Sequence, residues 1–129
     1  MADQPDIPLR ILVNGLAATQ VAAMDRGLMY GDGVFRTIRI ADGRPRWWPD
    51  HLAKLAEDCA RLGLDCPDVA RLDEDLARIE PLPIRGVLRL TVTRGDGPRG
   101  YRPPSPQRCT RILACWAAGD PPYPGEGLN

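Results

Sequence analysis

The chain has 129 residues, which is enough for one domain of ordinary size. Its 17 basic residues equal its 17 acidic residues, and a zero net charge argues against a surface that binds nucleic acid or an acidic membrane, because such surfaces need a basic excess. No apolar run is long enough for a transmembrane helix, and the acidic, polar N-terminus is unlike a signal peptide, so we expect a cytoplasmic protein.

The cysteine and histidine content argues against a metal site. Four cysteines are present without a Cys-x-x-Cys pair, and His51 is the only histidine. This set is not typical of a zinc site or of a nucleophilic dyad, so we expect no metal and reduced thiols. Cys59 falls on the apolar side of a predicted helix, where it would act as a small hydrophobic residue.

The N-terminal part predicts short strands. Residues 1–8 are expected to form a flexible arm. Leu9–Val13 predicts the first strand, which the turn signal Asn14-Gly15 closes. Gln20–Ala23 predicts a weak second strand.

A glycine-rich segment, 25–33, precedes the strand Val34–Ile40. Because a strand follows, Gly31 and Gly33 form neither a dinucleotide fingerprint nor a phosphate site at a helix N-terminus. Their spacing favours a tight hairpin entry. After the next turn, 46–48 predicts the returning strand.

Two helices follow. The first begins with Asp50 as its cap and ends at Gly63, and the second spans about 68–79. Apolar residues recur at helical spacing in both helices. The predicted stripes are Leu52, Leu55, Ala56, Cys59 and Leu62 in the first helix, and Val69, Leu72, Leu76 and Ile79 in the second.

The C-terminal part predicts two long strands, Gly86–Arg94 and Arg111–Ala117, joined by a Gly/Pro-rich loop at 95–107. The order of strands, two helices and strands predicts an α+β fold, in which both helices pack on one face of a mostly antiparallel sheet. We expect residues 9–118 to be this domain and 119–129 to be a linker that is cut short.

The strand after the glycines carries polar residues on both faces. Alternation places Arg36 on the apolar face, where it needs an anionic partner or must reach past an edge. Thr37 and Arg39 share the other face, where they either meet a polar ligand or form the solvated side of the sheet.

Two further regions could bind anions. The loop presents Arg99 and Tyr101, a carboxylate-binding fork and a hydroxyl donor, although taken alone these residues fit a solvated loop better. Lys54 is the only lysine, and it lies on one helix face with His51. It could bind phosphate as a point charge or be an ordinary surface lysine.

Taken in order, several segments resemble the N-terminal part of class IV (fold type IV) pyridoxal-phosphate enzymes, which include aminotransferases and aminodeoxychorismate lyases. Arg36 stands where the aminotransferases usually carry glutamate, and the loop with Arg99 also fits the lyases better. The segments that carry the resemblance are Asn14-Gly15, Asp25-Arg26-Gly27, Tyr30-Gly31-Asp32-Gly33-Val34-Phe35, His51-Leu52-Ala53-Lys54-Leu55, and Arg94-Gly95 to Tyr101.

The resemblance implies a role for each matching residue. Pyridoxal phosphate would be the cofactor, and Lys54 would hold its phosphate in place of the family's arginine. Arg39, Arg99 and Tyr101 would face an amino-acid-like substrate, Thr37 would assist catalysis, and Tyr30 would line the pocket.

The resemblance also implies what the chain lacks. The Schiff-base lysine would lie in a C-terminal domain beyond the linker, so this chain alone should be inactive, and the full-length protein should be a homodimer. The implied reaction converts 4-amino-4-deoxychorismate to 4-aminobenzoate and pyruvate in folate synthesis. The alternatives are a class IV aminotransferase of the branched-chain or D-amino-acid type, and a binding or scaffold domain that kept the fold without catalysis.

Overall fold

The computed structural model describes residues 7–96 and 108–118. Six strands form one sheet in the order β2-β1-β6-β5-β3-β4, and each neighbouring pair is antiparallel. This architecture confirms the predicted fold class. The elements are β1 (Arg10–Val13), β2 (Leu16–Ala17), α1 (Arg26–Tyr30), β3 (Gly33–Ala41), β4 (Arg44–Pro45), α2 (Trp48–Leu62), α3 (Val69–Ile79), β5 (Arg85–Thr93) and β6 (Thr110–Ala117).

The hydrophobic core lies between one face of the sheet and the helices α2 and α3. Leu88, Leu90 and Val92 of β5 are fully buried on this face, as their alternation predicts. Each fully buried side chain of this kind contributes about 1.5–3 kcal/mol to folding. The helices bury Leu52, Leu55, Cys59, Leu72 and Ile79 against them, whereas Ala56, Leu62 and Val69 of the predicted stripes are exposed. No helix in the described ranges is long and apolar enough to cross a membrane.

The predicted strand Gln20–Ala23 is wrong. Asn14 and Gly15 both have positive φ angles, 53° and 81°, which suit a two-residue hairpin. The partner strand therefore follows at once as β2, and Leu16 pairs with Val13.

The glycine-rich segment also differs from expectation. It contains the short helix α1, and Gly31 caps the C-terminus of that helix with φ 66°. Gly31 thus ends a helix and does not open a hairpin.

The start of the first long helix differs too. Strand β4 ends at Pro45, and Trp48 already belongs to α2. Proline is favoured in the first turn of a helix, and with Pro49 in that position the helix begins before Asp50. Trp47, with φ 55°, occupies the cap position without a side-chain hydrogen bond, and Asp50 lies in the first turn. The predicted Asp50 cap is therefore wrong.

The outer edge of β3 is largely open within the described ranges. Strand β4 pairs only with Ile40 and Ala41, while β5 covers the whole inner edge of β3. The start of α2 lies on one side of this edge, and the sheet face opposite the helices lies on the other. The predicted linker and most of the predicted arm and loop lie outside the described residues.

Candidate active site

A buried group of charges lies between α1 and β3. The Asp32 carboxylate accepts hydrogen bonds at Oδ2 from Nε of Arg94 at 2.7 Å and from Nε of Arg26 at 3.1 Å. The arginine side chains are 7% and 5% exposed. Burial opposes ionisation of Asp32, but the hydrogen bonds and charges of Arg94 and Arg26 outweigh it and lower the pKa of the carboxyl. We call these three residues the Asp32 cluster.

The Asp32 cluster also anchors Arg94 and Gly95, which directly follow β5. Arg94 also donates to the carbonyl oxygens of Leu62 at 2.7 Å and Gly63 at 2.9 Å, at the C-terminus of α2. The backbone N–H of Arg26 donates to Gly95 O at 2.7 Å. Gly95 has φ 82°, and a Cβ atom there would collide with the backbone of Arg108.

The segment Asp25-Arg26-Gly27 has a structural role. The Asp25 side chain accepts the Gly27 N–H at 2.8 Å through Oδ1 and the Thr110 hydroxyl at 2.7 Å through Oδ2. Asp25 therefore caps α1 and also ties it to β6.

Thr37 and Arg39 lie on the sheet face opposite α2 and α3, as alternation predicts, and both are exposed. Thr37 pairs with Arg89 of β5, and the Arg89 guanidinium carbon lies 4.1 Å from the centroid of the Phe35 ring. We call Phe35, Thr37, Arg39 and Arg89 the open face.

The open face is suited to anions. Neither Arg39 nor Arg89 forms an ion pair with a residue in 7–96 or 108–118. Two guanidinium groups beside a hydroxyl and an aromatic ring can bind carboxylates through charge-assisted hydrogen bonds.

On the other side of β3, Arg36 faces α2, as predicted, but the partner that the structure gives it is His51. Its Nε and Nη2 atoms lie 3.2 and 3.1 Å from His51 Nδ1. A guanidinium has no acceptor, so Nδ1 accepts and the ring proton lies on Nε2. Burial, followed by the charge of Arg36, lowers the pKa of His51, and Asp50 only partly opposes this effect. Both effects favour the neutral form of the His51 ring.

A cavity of about 300 Å³ opens beside this pair, lined by Arg36, Trp47, Asp50 and His51. Lys54 lies one turn further along α2, with its side chain 42% exposed and Nζ 3.5 Å from Asp58 Oδ1. Exposed pairs of this kind contribute little energy, so Lys54 can exchange Asp58 for a stronger anion.

The structure brings together some of the predicted site residues. Thr37 and Arg39 share the open face, whereas Lys54 lies with His51 on the helix side of β3. Tyr30 ends α1, and its ring centroid lies 4.8 Å from the guanidinium carbon of Arg26. Arg99 and Tyr101 lie outside the described residues, and their roles stay predictions.

Two features were missed by sequence reasoning. Arg89 lies between Leu88 and Leu90 on β5, so alternation indicates that its side chain lies on the sheet face opposite the core. Its pairing with Thr37 depends on the register of the two strands, which the sequence pattern does not give. The Asp32 cluster joins residues 62 positions apart, and only the unusual charge at the end of an apolar strand hinted at it.

Cys59 and Cys115 belong to the core, and the half-buried Cys66 and Cys109 pack against it. Burial raises the pKa of Cys59 to about 12 and also raises the pKa of Cys115. Within the described ranges, no three His, Cys, Asp or Glu side chains are grouped so that they could hold a metal ion.

Comparison with known proteins identifies the family. The model of the amino-transferase class IV family matches residues 33–124. The chain belongs to this family. Class IV enzymes of this kind depend on pyridoxal phosphate.

Relatives within the class IV family include both reaction types. The chain is 34% identical to the D-alanine aminotransferase of Bacillus licheniformis over 101 residues, which cover 73% of this chain and 36% of the relative. It is 41% identical to the crystal structure of 4-amino-4-deoxychorismate lyase from Pseudomonas aeruginosa, with a TM-score of 0.72 and coverage of 88% and 41%.

A hypothetical aminotransferase from Mycobacterium tuberculosis, in its PLP-bound form, shares the fold at 21% identity, with a TM-score of 0.65 and coverage of 84% and 39%. The chain thus spans about two fifths of the length of the class IV proteins that it matches.

Proposed function

We propose that this chain supplies one wall of the active site of a pyridoxal-phosphate-dependent aminodeoxychorismate lyase, which releases 4-aminobenzoate and pyruvate from 4-amino-4-deoxychorismate. The observation that carries this proposal is the open face, where Arg39 and Arg89 stand beside Thr37 without an acidic partner among the described residues. The substrate bears two carboxylates, which match two guanidinium groups. The 41% identity with the Pseudomonas lyase supports the same reaction.

The residues near the start of α2 fit a phosphate group. Lys54 offers an ammonium, and Arg36 keeps its Nη1 group after binding His51 through Nε and Nη2. Phosphate monoesters are bound by such combinations of point charge and directed N–H donors. When bound, pyridoxal phosphate supplies an electron sink for charge that develops on the substrate.

The remaining roles belong to the open face and the loop. Arg39 and Arg89 orient the substrate by its carboxylates, and the Thr37 hydroxyl assists proton transfer to or from the substrate. Arg99 and Tyr101 add a second clamp from the loop, and Tyr30 lines the wall near the Asp32 cluster.

The amine that bonds to the coenzyme is proposed to lie outside this chain. Lys54 is the only lysine, and we propose that it binds the coenzyme phosphate and not the coenzyme aldehyde. We propose that residues 119–129 lead to a second domain with the Schiff-base lysine, and that the longer protein is a cytoplasmic homodimer in folate synthesis. The chain alone is then inactive.

An aminotransferase is the second candidate, because the chain is 34% identical to a D-alanine aminotransferase. Transamination would pass the amino group to a keto acid and would leave the carbon skeleton intact. A domain that kept the fold and binds ligands without catalysis is the third candidate.

Two assays separate these candidates. The 129-residue chain with pyridoxal phosphate should release pyruvate from 4-amino-4-deoxychorismate no faster than the free cofactor does. The product of the reading frame extended past Asn129 should form 4-aminobenzoate and pyruvate in equal amounts. Amino transfer from D-alanine or from a branched-chain amino acid to 2-oxoglutarate, without formation of 4-aminobenzoate, would instead identify an aminotransferase. Absence of all these activities would favour the binding domain.

Substitutions in the extended protein test the site itself. Arg89→Gln and Arg39→Gln should each raise KM for the substrate by about 10-fold or more, because each removes a charge-assisted hydrogen bond. Arg71→Gln, at an exposed position of α3, is the matched control and should leave KM unchanged. Equal KM values in all three variants would contradict the role of the open face.

A further inference from the structure

His51 has a fixed tautomer with a free donor. Both N–H groups that Arg36 directs at it converge on Nδ1, at 3.2 and 3.1 Å, so the proton of the neutral ring lies on Nε2. Nε2 has no hydrogen-bond partner among residues 7–96 and 108–118. The ring lines the open cavity, so this donor can reach a ligand.

The His51 donor lies close to Lys54, which suggests that both bind the same anionic group. Residues three apart on a helix lie on one face, with Cβ atoms about 5–6 Å apart. His51 and Lys54 have this spacing on α2. We propose that His51 is a further ligand of the coenzyme phosphate, which donates its Nε2 proton beside the Lys54 ammonium, with Arg36 as the positioning residue that fixes the tautomer. This inference rests on the proposed function, which assigns the phosphate to Lys54.

The chain offers two unambiguous reporters, because His51 is its only histidine and Lys54 its only lysine. In the 129-residue chain labelled with ¹⁵N, the two-bond couplings of the single imidazole should show the Nε2–H tautomer in phosphate-free buffer. Arg36→Met removes the two donors and should give a mixture of tautomers. An Nδ1–H tautomer in the unsubstituted chain overturns the inference.

Ligand titrations test the binding step. The probes are inorganic phosphate and pyridoxine 5′-phosphate, which lacks the aldehyde that would react with an amine, and pyridoxine is the control without phosphate. Both phosphate probes should shift the Nε2 signal of His51 and the side-chain signals of Lys54, whereas pyridoxine should not. Arg61→Gln, which removes an exposed cation from the same helix, should respond like the unsubstituted chain.

The outcomes separate this inference from the proposed function. Shifts at both residues support both. A shift at Lys54 alone overturns the role of His51 and leaves the phosphate site at Lys54 in place. Shifts at neither residue overturn both, and a His51 shift that pyridoxine reproduces overturns the inference.

Side-chain replacement gives a second measure. His51→Leu removes the donor and should weaken the phosphate affinity reported by Lys54 by about 3- to 10-fold, the effect of one lost hydrogen bond. His51→Gln places an amide N–H near the position of Nε2 and should recover most of that loss. Equal affinity of the leucine variant and the unsubstituted chain overturns the inference.

Discussion

Arginine serves two different purposes in this molecule. In the Asp32 cluster, Arg26 and Arg94 are buried and share one carboxylate. On the open face, Arg39 and Arg89 are exposed and form no ion pair with the described residues. A buried charge needs a counter-ion within the protein, because burial of an unpaired charge is costly. An exposed charge is stabilised by water and stays accessible to an anionic ligand. The first pair therefore stabilises the fold, and the second is available for binding.

The largest expected effect comes from removal of the shared carboxylate. Asp32→Asn leaves two buried guanidinium groups without a counter-charge, and breaking a buried ion pair in this way costs about 3–5 kcal/mol. Urea unfolding followed by circular dichroism should show this loss, or the absence of a cooperative transition.

Glu57→Gln is the matched control for that substitution. The Glu57 carboxylate is exposed and lies 3.8 Å from Arg61, so its loss should change the unfolding free energy by less than about 1 kcal/mol. Similar losses in the two variants would show that the Asp32 cluster is not the stabilising feature.

The pH dependence of stability sharpens the same contrast. Because the folded protein lowers the pKa of Asp32, its contribution is fully present above the unfolded value of about 3.9 and is lost as the pH falls through the folded pKa. The stability gap between the unsubstituted chain and Asp32→Asn should be widest near neutral pH and should narrow below about pH 4. Unfolding curves at several pH values measure this gap, and a constant gap would contradict the assignment.

On the open face, substitutions should barely affect stability. Arg89→Gln removes the contact with the Phe35 ring, which is worth about 0.5–1 kcal/mol at an exposed site. The same unfolding assay measures it. A loss as large as that of Asp32→Asn would mean that Arg89 is part of the structural core.

The smallest effect is expected at Arg39. Arg39 and Arg89 are diagonal neighbours across β3 and β5, so Arg39→Gln relieves repulsion between like charges. Its unfolding free energy should change by no more than about 0.5 kcal/mol, as is typical of surface positions. A small gain at low salt should disappear when salt screens the charges. A clear loss at low salt would point to an undetected partner.

Local patterns predicted most of the fold. The strand β5 and the helices α2 and α3 were recognisable because their apolar residues recur at the period of the element over nine or more residues. The errors lie in short elements. Helix α1 spans only five residues, too few for periodicity, and Trp47 adopts a left-handed conformation that its residue type disfavours.

The candidate site was less predictable, because its contacts join distant parts of the chain. Alternation placed Thr37 and Arg39 on one face correctly, but it could not pair Thr37 with Arg89. For Arg36 the sequence left open an anionic partner or a path past the sheet edge, whereas the structure gives it the His51 imidazole, because α2 brings His51 over β3. Such pairings depend on register and helix orientation, which a sequence pattern does not contain.

Helix α2 carries the proposed phosphate-binding residues near its start and contacts Arg94 at its end. Its 15 residues span about 22 Å, with Lys54 and His51 in its first half. At its other end, Arg94 donates hydrogen bonds to the terminal carbonyls of Leu62 and Gly63. The proposed phosphate-binding residues and the Arg94 contacts therefore lie on one regular helix, whose geometry sets the distance between them.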